Sequence, residues 1–178
     1  MTDERYPIGK FTPVPSLSAA DRNACIEQIV AAPANFRRAV AGLNDAQLDT
    51  PYRTGGWTVR QVAHHVPDSH MNAYLRFKWG LTEDTPAIKT YEEKDWAKTP
   101  ETRAPIAVSL DLLTALHQRW VLLLRGMSPA DFARTIKHPE LGTPSLDTML
   151  ALYAWHGRHH TAHVTSLRQR MAWGGGGD

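Results

Sequence analysis

A segment near the end of the chain, from Ser145 to Trp173, contains no proline and limits the possible folds more than any other stretch. Its first residue, a serine, and the acidic Asp147 close behind it are typical of a helix start. At about 100° per residue, the apolar side chains of the segment fall on one stripe. These side chains are Leu146, Met149, Leu150, Tyr153, Val164, Leu167 and Met171. The segment therefore predicts a long amphipathic helix that packs against the rest of the domain.

Four histidines lie within eight residues of this helix: His156, His159, His160 and His163. Residues four apart on a helix face nearly the same way, so His156 and His160 stand one above the other beside the apolar stripe. The same geometry places His163 further from the stripe and turns His159 furthest toward solvent. Two inward imidazoles at this spacing can direct ring nitrogens to one point about 2 Å from each, as divalent metals require. The alternative is an ordinary core histidine, although burying several imidazoles together is costly without something to bind.

Composition excludes several classes of function. The 178 residues fit one domain with its own core, and a net charge of +2, with both signs mixed along the chain, gives no basic track for nucleic acid. A single cysteine, Cys25, rules out a disulfide framework or a cysteine zinc site, and we interpret it as a buried structural residue. No apolar run approaches the ~20 residues of a membrane span, and no signal-peptide core is present. These features predict a cytoplasmic protein.

Three more helices are predicted upstream of the histidine-rich one, and they span about Ser18–Leu43, Thr58–Leu81 and Ser109–Met127. Pro33 should kink the first helix or break it in two, and Pro67 should bend the second. The other segments are an extended N-terminal arm at 1–17, a loop at 44–56, a polar connection at 82–108, a short helical turn at 128–131 and a disordered tail at 174–178. The long connection is either a crossover between helices or a cover over a site. The fold class is therefore all-α, a four-helix bundle with one long crossover loop.

The second helix carries His64, His65 and His70. Its apolar side is formed by Val59, Val62, Val66, Ala73 and Phe77. Helical periodicity places His70 nearest the centre of that side and would select it as the third metal ligand. The bend expected at Pro67 makes the count unreliable across this point, so periodicity leaves the choice open.

Four stretches of the chain carry a family likeness: GGWTVRQVAHHVPDSHMNAYLRFKWGLTEDTP, LHQRWVLLLRGM, the HPE at His138–Glu140, and YAWHGRHHTAHV. Together they resemble the YfiT branch of the DinB-like superfamily over essentially the whole chain. The resemblance implies a four-helix bundle that holds one divalent metal, zinc or nickel, with three histidines. It assigns these ligands to His65, His156 and His160, and we prefer His65 over His70 on this ground. Pro67 departs from the family pattern.

Members of that branch are described either as candidate metal-dependent hydrolases or as transferases of low-molecular-weight thiols, bacillithiol in particular, and they are commonly homodimers. Three neutral histidines leave a coordination position open, as catalytic sites do. A cation there can hold a thiol as the nucleophilic thiolate or can activate water for hydrolysis. Gly157 and Arg158 stand where a hydrolase helix would carry its carboxylate base, so we prefer transfer of a thiol to an electrophile. A non-catalytic stress protein that binds a metal or small ligand is the remaining alternative.

Other polar residues are weaker candidates. Four of them are suited to hold the second ring nitrogen of a metal ligand, and they are Asp68, Asn72, Tyr153 and His163. Asp68 is also the nearest available base for hydrolysis. Three more are expected at the mouth of the site, where they would meet a carboxylate of a thiol cofactor, and they are Arg76, His117 and Arg119. The alternative for each is an ordinary polar position on the bundle.

Overall fold

The computed structural model describes residues 3–174, which fold into helices joined by loops. In chain order the helices are α1 (Ala19–Val40), α2 (Asp45–Leu48), α3 (Val59–Thr82), α4 (Glu93–Trp96), a 3₁₀ turn (Pro100–Arg103), α5 (Ala107–Arg125), α6 (Pro129–Phe132) and α7 (Leu146–Arg170). The long helices α1, α3, α5 and α7 form the bundle. Within the described range there are isolated β-bridges but no strand. The predicted all-α four-helix bundle is confirmed.

The bundle is arranged so that α1 and α3 each pack against both α5 and α7. The N-terminal halves of α1 and α7 share one apolar cluster with the C-terminal halves of α3 and α5. The neighbours α3 and α5 therefore run in the same direction, and the chain must return along the bundle between them. This explains the long connection, which was predicted at 82–108 and spans 83–106 in the structure. It is not free of regular structure, because it contains α4 and the 3₁₀ turn.

The helix starts follow the capping signals. Ser18 accepts a hydrogen bond from the backbone of Asp21 at the start of α1, and Thr58 forms a capping box with Gln61 at the start of α3. A further capping box, formed by Asn44 and Gln47, starts α2 inside the segment predicted as a loop. This Asn-x-x-Gln spacing was the missed signal for that short helix.

Pro33 does not break α1, which is continuous from Ala19 to Val40. A proline has no N–H to donate to the carbonyl four residues earlier, so the carbonyl of Ile29 loses its helical partner. That carbonyl accepts a hydrogen bond from the imidazole of His117 on α5 instead, at 2.7 Å. Likewise α3 is continuous across Pro67.

The apolar core is divided into two clusters by a layer of buried histidines. One cluster contains Ile29, Phe77, Trp120 and Leu146, and the other contains Phe36, Val62, Leu113 and Val164. The histidines between them come from the middle of three helices: His65 and His70 on α3, His117 on α5, and His156, His160 and His163 on α7. Because buried polar groups need hydrogen-bond partners, these imidazoles must bond to one another or to backbone groups of the segments packed around them.

The N-terminal arm lies along α7 without forming a helix. Trp155 Nε1 donates to the carbonyl of Gly9 at 3.2 Å, and Thr148 Oγ1 donates to the carbonyl of Val14 at 2.7 Å. Most of the predicted tail, residues 175–178, lies outside the described residues. Within residues 3–174, none of the helices combines the length and apolar character that crossing a membrane requires.

Candidate metal centre

The structure brings His65, His156 and His160 together at the centre of the bundle. One ring nitrogen of each lies within 4.8 Å of the others. The ring centroids are separated by 4.5 Å for His156 and His160, 4.9 Å for His65 and His160, and 5.4 Å for His65 and His156. Three nitrogens bound to one tetrahedral ion would be roughly 3.3 Å apart, so small side-chain rotations suffice for convergence. This His65–His156–His160 triad has the donor type and number of a catalytic divalent-metal site.

The triad is uncharged at neutral pH, which leaves lone pairs available for a cation. Burial lowers the pKa of His65 to about 4. Burial, and then the neighbouring imidazoles, hold the pKa of His156 and of His160 well below the ordinary value for histidine. Metal ions bind the neutral imidazole, so this electrostatic environment favours a cation over protons.

A chain of hydrogen bonds runs from His156 through the core to α1. His156 Nδ1 lies 3.1 Å from His70 Nε2, His70 Nδ1 lies 2.7 Å from His117 Nε2, and His117 Nδ1 lies 2.7 Å from the carbonyl oxygen of Ile29. A carbonyl only accepts, and a neutral imidazole has one donor and one acceptor nitrogen. Each Nδ1 in this chain must therefore carry the proton. His156 Nε2 is consequently unprotonated, and it accepts a hydrogen bond from the hydroxyl of Ser69 at 3.4 Å.

A second chain determines the tautomer of His160. His163 Nε2 lies 3.2 Å from the carbonyl oxygen of Arg5 in the N-terminal arm, so this nitrogen is the donor. His163 Nδ1 is then the acceptor for His160 Nδ1, at 3.4 Å. His160 Nε2 is left unprotonated in its turn. Both α7 histidines thus keep Nε2 unprotonated, as the outer hydrogen bonds of metal-binding histidines commonly ensure.

Of the four residues expected to hydrogen-bond the second ring nitrogen of a triad histidine, His163 is the one that does so in the described part of the chain. His163 contacts His160 as expected. Tyr153 instead accepts a hydrogen bond from Arg76, and Asn72 donates to the backbone carbonyl of Asp68. No hydrogen bond among the described residues joins Asp68, Asn72 or Tyr153 to the triad. Burial, with a smaller effect of the Glu101 carboxylate, raises the pKa of Asp68 to about 6.

His70, which periodicity favoured as a ligand, does face the interior and is fully buried. Both of its ring nitrogens are engaged, one with His117 and one with His156. Sequence periodicity therefore identified an inward-facing histidine correctly. The packing of α3 on α7 brings His65 next to both His156 and His160, whereas His70 contacts the protonated Nδ1 side of His156.

The three residues expected at the mouth of the site occupy different places. Arg76 is buried and donates to the hydroxyl of Tyr153 at 2.9 Å. His117 is buried in the core and belongs to the hydrogen-bonded chain described above. Arg119 is exposed on α5, with its guanidinium 5.9 Å from the ring of Tyr74. Arg76 and His117 each reach the triad through one intervening side chain, Tyr153 for Arg76 and His70 for His117.

His159 is buried, contrary to the sequence-based expectation that it points to solvent. Helical geometry gives its direction correctly, but the N-terminal arm covers that side of α7. The ring of Tyr6 lies 6.0 Å from the His159 ring, and Trp155 stacks on it at 4.2 Å. Burial lowers the pKa of His159 to about 3.

A cleft of about 700 Å³ opens onto the triad. Its walls come from the arm, from the loop at 52–57 and from the connection at 93–98. Trp57 packs against His65, with ring centroids 4.6 Å apart. Four cationic side chains line the cleft, and they are Arg5, Arg53, Lys94 and Lys98.

Glu93, in the predicted cover over the site, also lines this cleft, and burial raises the pKa of its carboxyl. Sequence reasoning did not single out Glu93 because nothing in the pattern of that polar segment ties it to the histidines.

Comparison with known proteins agrees with this geometry. The sequence model of the DinB superfamily matches residues 28–164. A Bacillus mycoides protein named "Putative metal-dependent hydrolase" is 53% identical over 173 residues, which are 97% of this chain and 100% of that protein. A Bacillus cereus protein with the same descriptive name is 51% identical, with the same coverage.

Two solved structures share the fold. The structure of YfiT from Bacillus subtilis, described as "a probable metal-dependent hydrolase with an unusual four-helix bundle topology", superposes with a TM-score of 0.94 at 46% identity and covers 97% of this chain and 100% of that one. TT2238, a four-helix bundle protein, gives a TM-score of 0.55 at 20% identity over 85% of this chain and 98% of that one, which supports the fold alone. With these matches and its histidine triad, the chain belongs to the YfiT branch of the DinB superfamily.

Proposed function

We propose that this protein is a metal-dependent enzyme that transfers a low-molecular-weight thiol, such as bacillithiol, to electrophiles. The observation that carries the proposal is the triad of neutral imidazoles at the floor of an open cleft, with no carboxylate hydrogen-bonded to it in the described part of the chain. When bound there, a divalent cation, zinc or nickel by preference, would lower the pKa of a thiol and keep it as thiolate.

The residues around the triad support this chemistry. The hydrogen-bonded chains leave Nε2 of His156 and of His160 unprotonated, and both residues line the cleft together with His65. The cationic side chains along the cleft raise the local concentration of anions such as thiolates. Aromatic rings, among them Trp57 and Tyr52, offer an apolar surface for the carbon of an electrophile. We expect the protein to act in the cytoplasm as a homodimer.

Metal analysis and thiol consumption together test the proposal. The purified protein is analysed for metal and then incubated with monochlorobimane and either bacillithiol, glutathione or cysteine, with and without added zinc or nickel. We expect metal-dependent loss of one free thiol. His65→Ala should lose most of the bound metal and the activity, because one of the three nitrogens is removed. His64→Ala is the matched control, since His64 is buried on the same helix but bonds to Ser109 and to the carbonyl of Ala104.

A protein that binds no zinc, nickel or manganese and is unchanged by them would contradict any metal-dependent activity. Metal binding without turnover of any thiol, ester or amide would instead support a non-catalytic metal-binding stress protein.

Hydrolysis is the second candidate, and two observations favour it. The relatives named above carry hydrolase names, and Glu93 supplies a carboxylate in the cleft. In that case an ester or amide panel would be turned over with no thiol consumed, and Glu93→Gln would abolish the turnover. Retention of thiol transfer in the Glu93→Gln variant would keep the first proposal ahead.

A further inference from the structure

A second, smaller cavity of about 300 Å³ lies beside the triad. Its floor is formed by four buried side chains, and they are Ser69, Arg76, His138 and Tyr153. Its rim comes largely from the long connection, with Tyr91, Glu93 and Lys94. The chemistry of the floor is dominated by the guanidinium of Arg76.

Arg76 is a buried cation with no anionic partner. The residue is 5% exposed, and no carboxylate oxygen among the described residues lies within 4 Å of its guanidinium nitrogens. Its hydrogen bonds go to two neutral oxygens, the hydroxyl of Tyr153 at 2.9 Å and the carbonyl of Lys89 at 3.4 Å. Its Nε has no hydrogen-bond partner within residues 3–174. A buried charge is ordinarily paired, because an unpaired one loses its hydration without compensation.

A second polar group in the same cavity has no partner of good hydrogen-bond geometry. The hydroxyl of Tyr91 is buried, and within residues 3–174 its polar neighbour is the side chain of Ser69, which lines the same cavity. Arg76 and Tyr91 thus present N–H and O–H donors to one small space, and the natural complement is an acceptor with several lone pairs. A carboxylate fits best, since a guanidinium can bind its two oxygens side by side.

The charges at the rim restrict the ligand further. Glu92, Glu93 and Glu140 line the outer part of the cavity, where Lys94 is the accompanying cation. Glu92, Lys94 and Glu140 are exposed, whereas Arg76 lies at the floor. Glu93 is exposed as a whole residue, but its carboxyl lies deep enough for burial to raise its pKa, against a smaller lowering by the charge of Arg76. A ligand with several negative charges would meet these carboxylates, but a single carboxylate can reach the guanidinium past them. The floor of the cavity therefore offers one guanidinium to one carboxylate, and any further anionic group of the ligand would lie outside it.

The cavity communicates with the triad. Ser69 Oγ lies 3.4 Å from His156 Nε2, and the ring of Tyr153 lies 5.7 Å from the ring of His156. Glu93 and Lys94 line both cavities. One small molecule can therefore place a carboxylate at Arg76 and a second functional group at the triad.

We propose that Arg76 anchors a carboxylate of the substrate, so that the enzyme acts on a carboxylate-bearing thiol. This inference rests on the proposed thiol chemistry at the triad. The guanidinium holds the acid end, and the distance from Arg76 to the triad selects the length of chain between carboxylate and sulfur.

The test uses cobalt-loaded protein, in which binding of a thiolate is read from its charge-transfer absorption. The probes are mercaptoacetate, 3-mercaptopropionate and 4-mercaptobutyrate, each compared with its neutral amide. For at least one chain length we expect the acid to bind about 10- to 100-fold more tightly than the amide, the range of a hydrogen bond between charged groups. Arg76→Met should abolish this preference, and Arg76→Lys should keep part of it. Arg134→Met is the control for loss of an arginine, because Arg134 is exposed and bonds to the carbonyls of Gly80 and Glu83.

Each result has a separate meaning. Equal affinity of acid and amide in the wild type, or a preference that persists in Arg76→Met, would overturn the role of Arg76 and leave thiolate binding intact. If no thiol perturbs the cobalt spectrum, the proposed function fails, and the carboxylate site is then read by the NMR signal of Arg76 Nε–H. A saturable shift of that signal with propionate, and none with propionamide, would support the site, whereas no shift with either would overturn it.

Discussion

The histidines in the middle of the bundle divide into those of the triad and those that orient the triad by hydrogen bonds. Three belong to the first group, His65, His156 and His160, and three to the second, His70, His117 and His163. The orienting residues are not themselves members of the triad. Their hydrogen bonds, which end on backbone carbonyls, determine which ring nitrogen of His156 and of His160 is protonated. Metal affinity should therefore depend on side chains that are not ligands.

The first such prediction concerns His70. His70→Ala should keep the triad but weaken metal binding by about 10- to 100-fold, because His156 loses the acceptor that holds its proton on Nδ1. The affinity is measured by competition with a chromophoric chelator. Independently, long-range ¹H–¹⁵N correlation spectra of the metal-free protein should show His156 protonated at Nδ1 in the wild type and at both nitrogens in mixture in the variant. His64→Ala serves again as the control. Unchanged affinity together with an unchanged tautomer would refute the role of His70.

Two segments outside the helices that carry the triad supply the last acceptors of its hydrogen-bond networks. Pro33 in α1 leaves the carbonyl of Ile29 without a helical partner, and this carbonyl accepts the last hydrogen bond of the series that starts at His156. The N-terminal arm supplies the carbonyl of Arg5, which accepts the last hydrogen bond of the series that starts at His160. A helix-breaking residue and an irregular segment, both unpromising by sequence, thereby provide the two acceptors that direct the imidazole protons.

A second prediction concerns the N-terminal arm and the carbonyl of Arg5 that it supplies. Removal of residues 1–8 deletes the acceptor of His163, so His160 should no longer be restricted to the Nδ1-protonated form and metal affinity should fall by about 10-fold or more. Chelator competition measures the change. Tyr6→Ala is the matched control, since it uncovers His159 but retains the backbone carbonyl of Arg5. If the shortened protein and Tyr6→Ala bind metal equally well, the arm acts only as a cover.

In the molecule as a whole, the histidine layer replaces apolar packing across the centre of the bundle. These imidazoles are buried in the neutral form, so protonation must oppose folding of the metal-free protein. Burial lowers the pKa of His117 to about 4, from 6.5. Between these pH values the unfolded chain binds a proton that the folded protein does not, and the stability that depends on neutral His117 is complete above about pH 6.5 and is lost as the pH falls toward 4.

We therefore expect the free energy of unfolding of the metal-free protein to decrease from pH 6.5 to pH 4, with a contribution from His117 on the order of 3 kcal/mol. Urea unfolding at a series of pH values measures it. His117→Gln should show a shallower decrease, because an amide can donate to the carbonyl of Ile29 and accept from His70 without titrating. An identical slope in wild type and variant would show that His117 does not contribute.

Much of the fold could be predicted from local patterns, because capping residues and apolar periodicity act within a few turns of helix. Ser18, Thr58 and Ser145 begin helices at the predicted places, and His156 and His160 share a face because they are four residues apart. The resemblance to a known family added His65. Of the outcomes predicted for Pro33, a break in the helix is excluded, because the packing of a long helix on its neighbours outweighs one lost hydrogen bond.

Tertiary packing alone decided the rest of the site. Whether His65 or His70 joined the α7 pair depended on how α3 lies against α7, and the burial of His159 depended on an arm more than 140 residues away in sequence. Arg76 is buried because residues of the connection at 83–106 cover it, and it forms no salt bridge with the described residues. These outcomes have one physical cause: periodicity specifies the direction of a side chain from its own helix axis, whereas its partners and its exposure to water are set by distant segments.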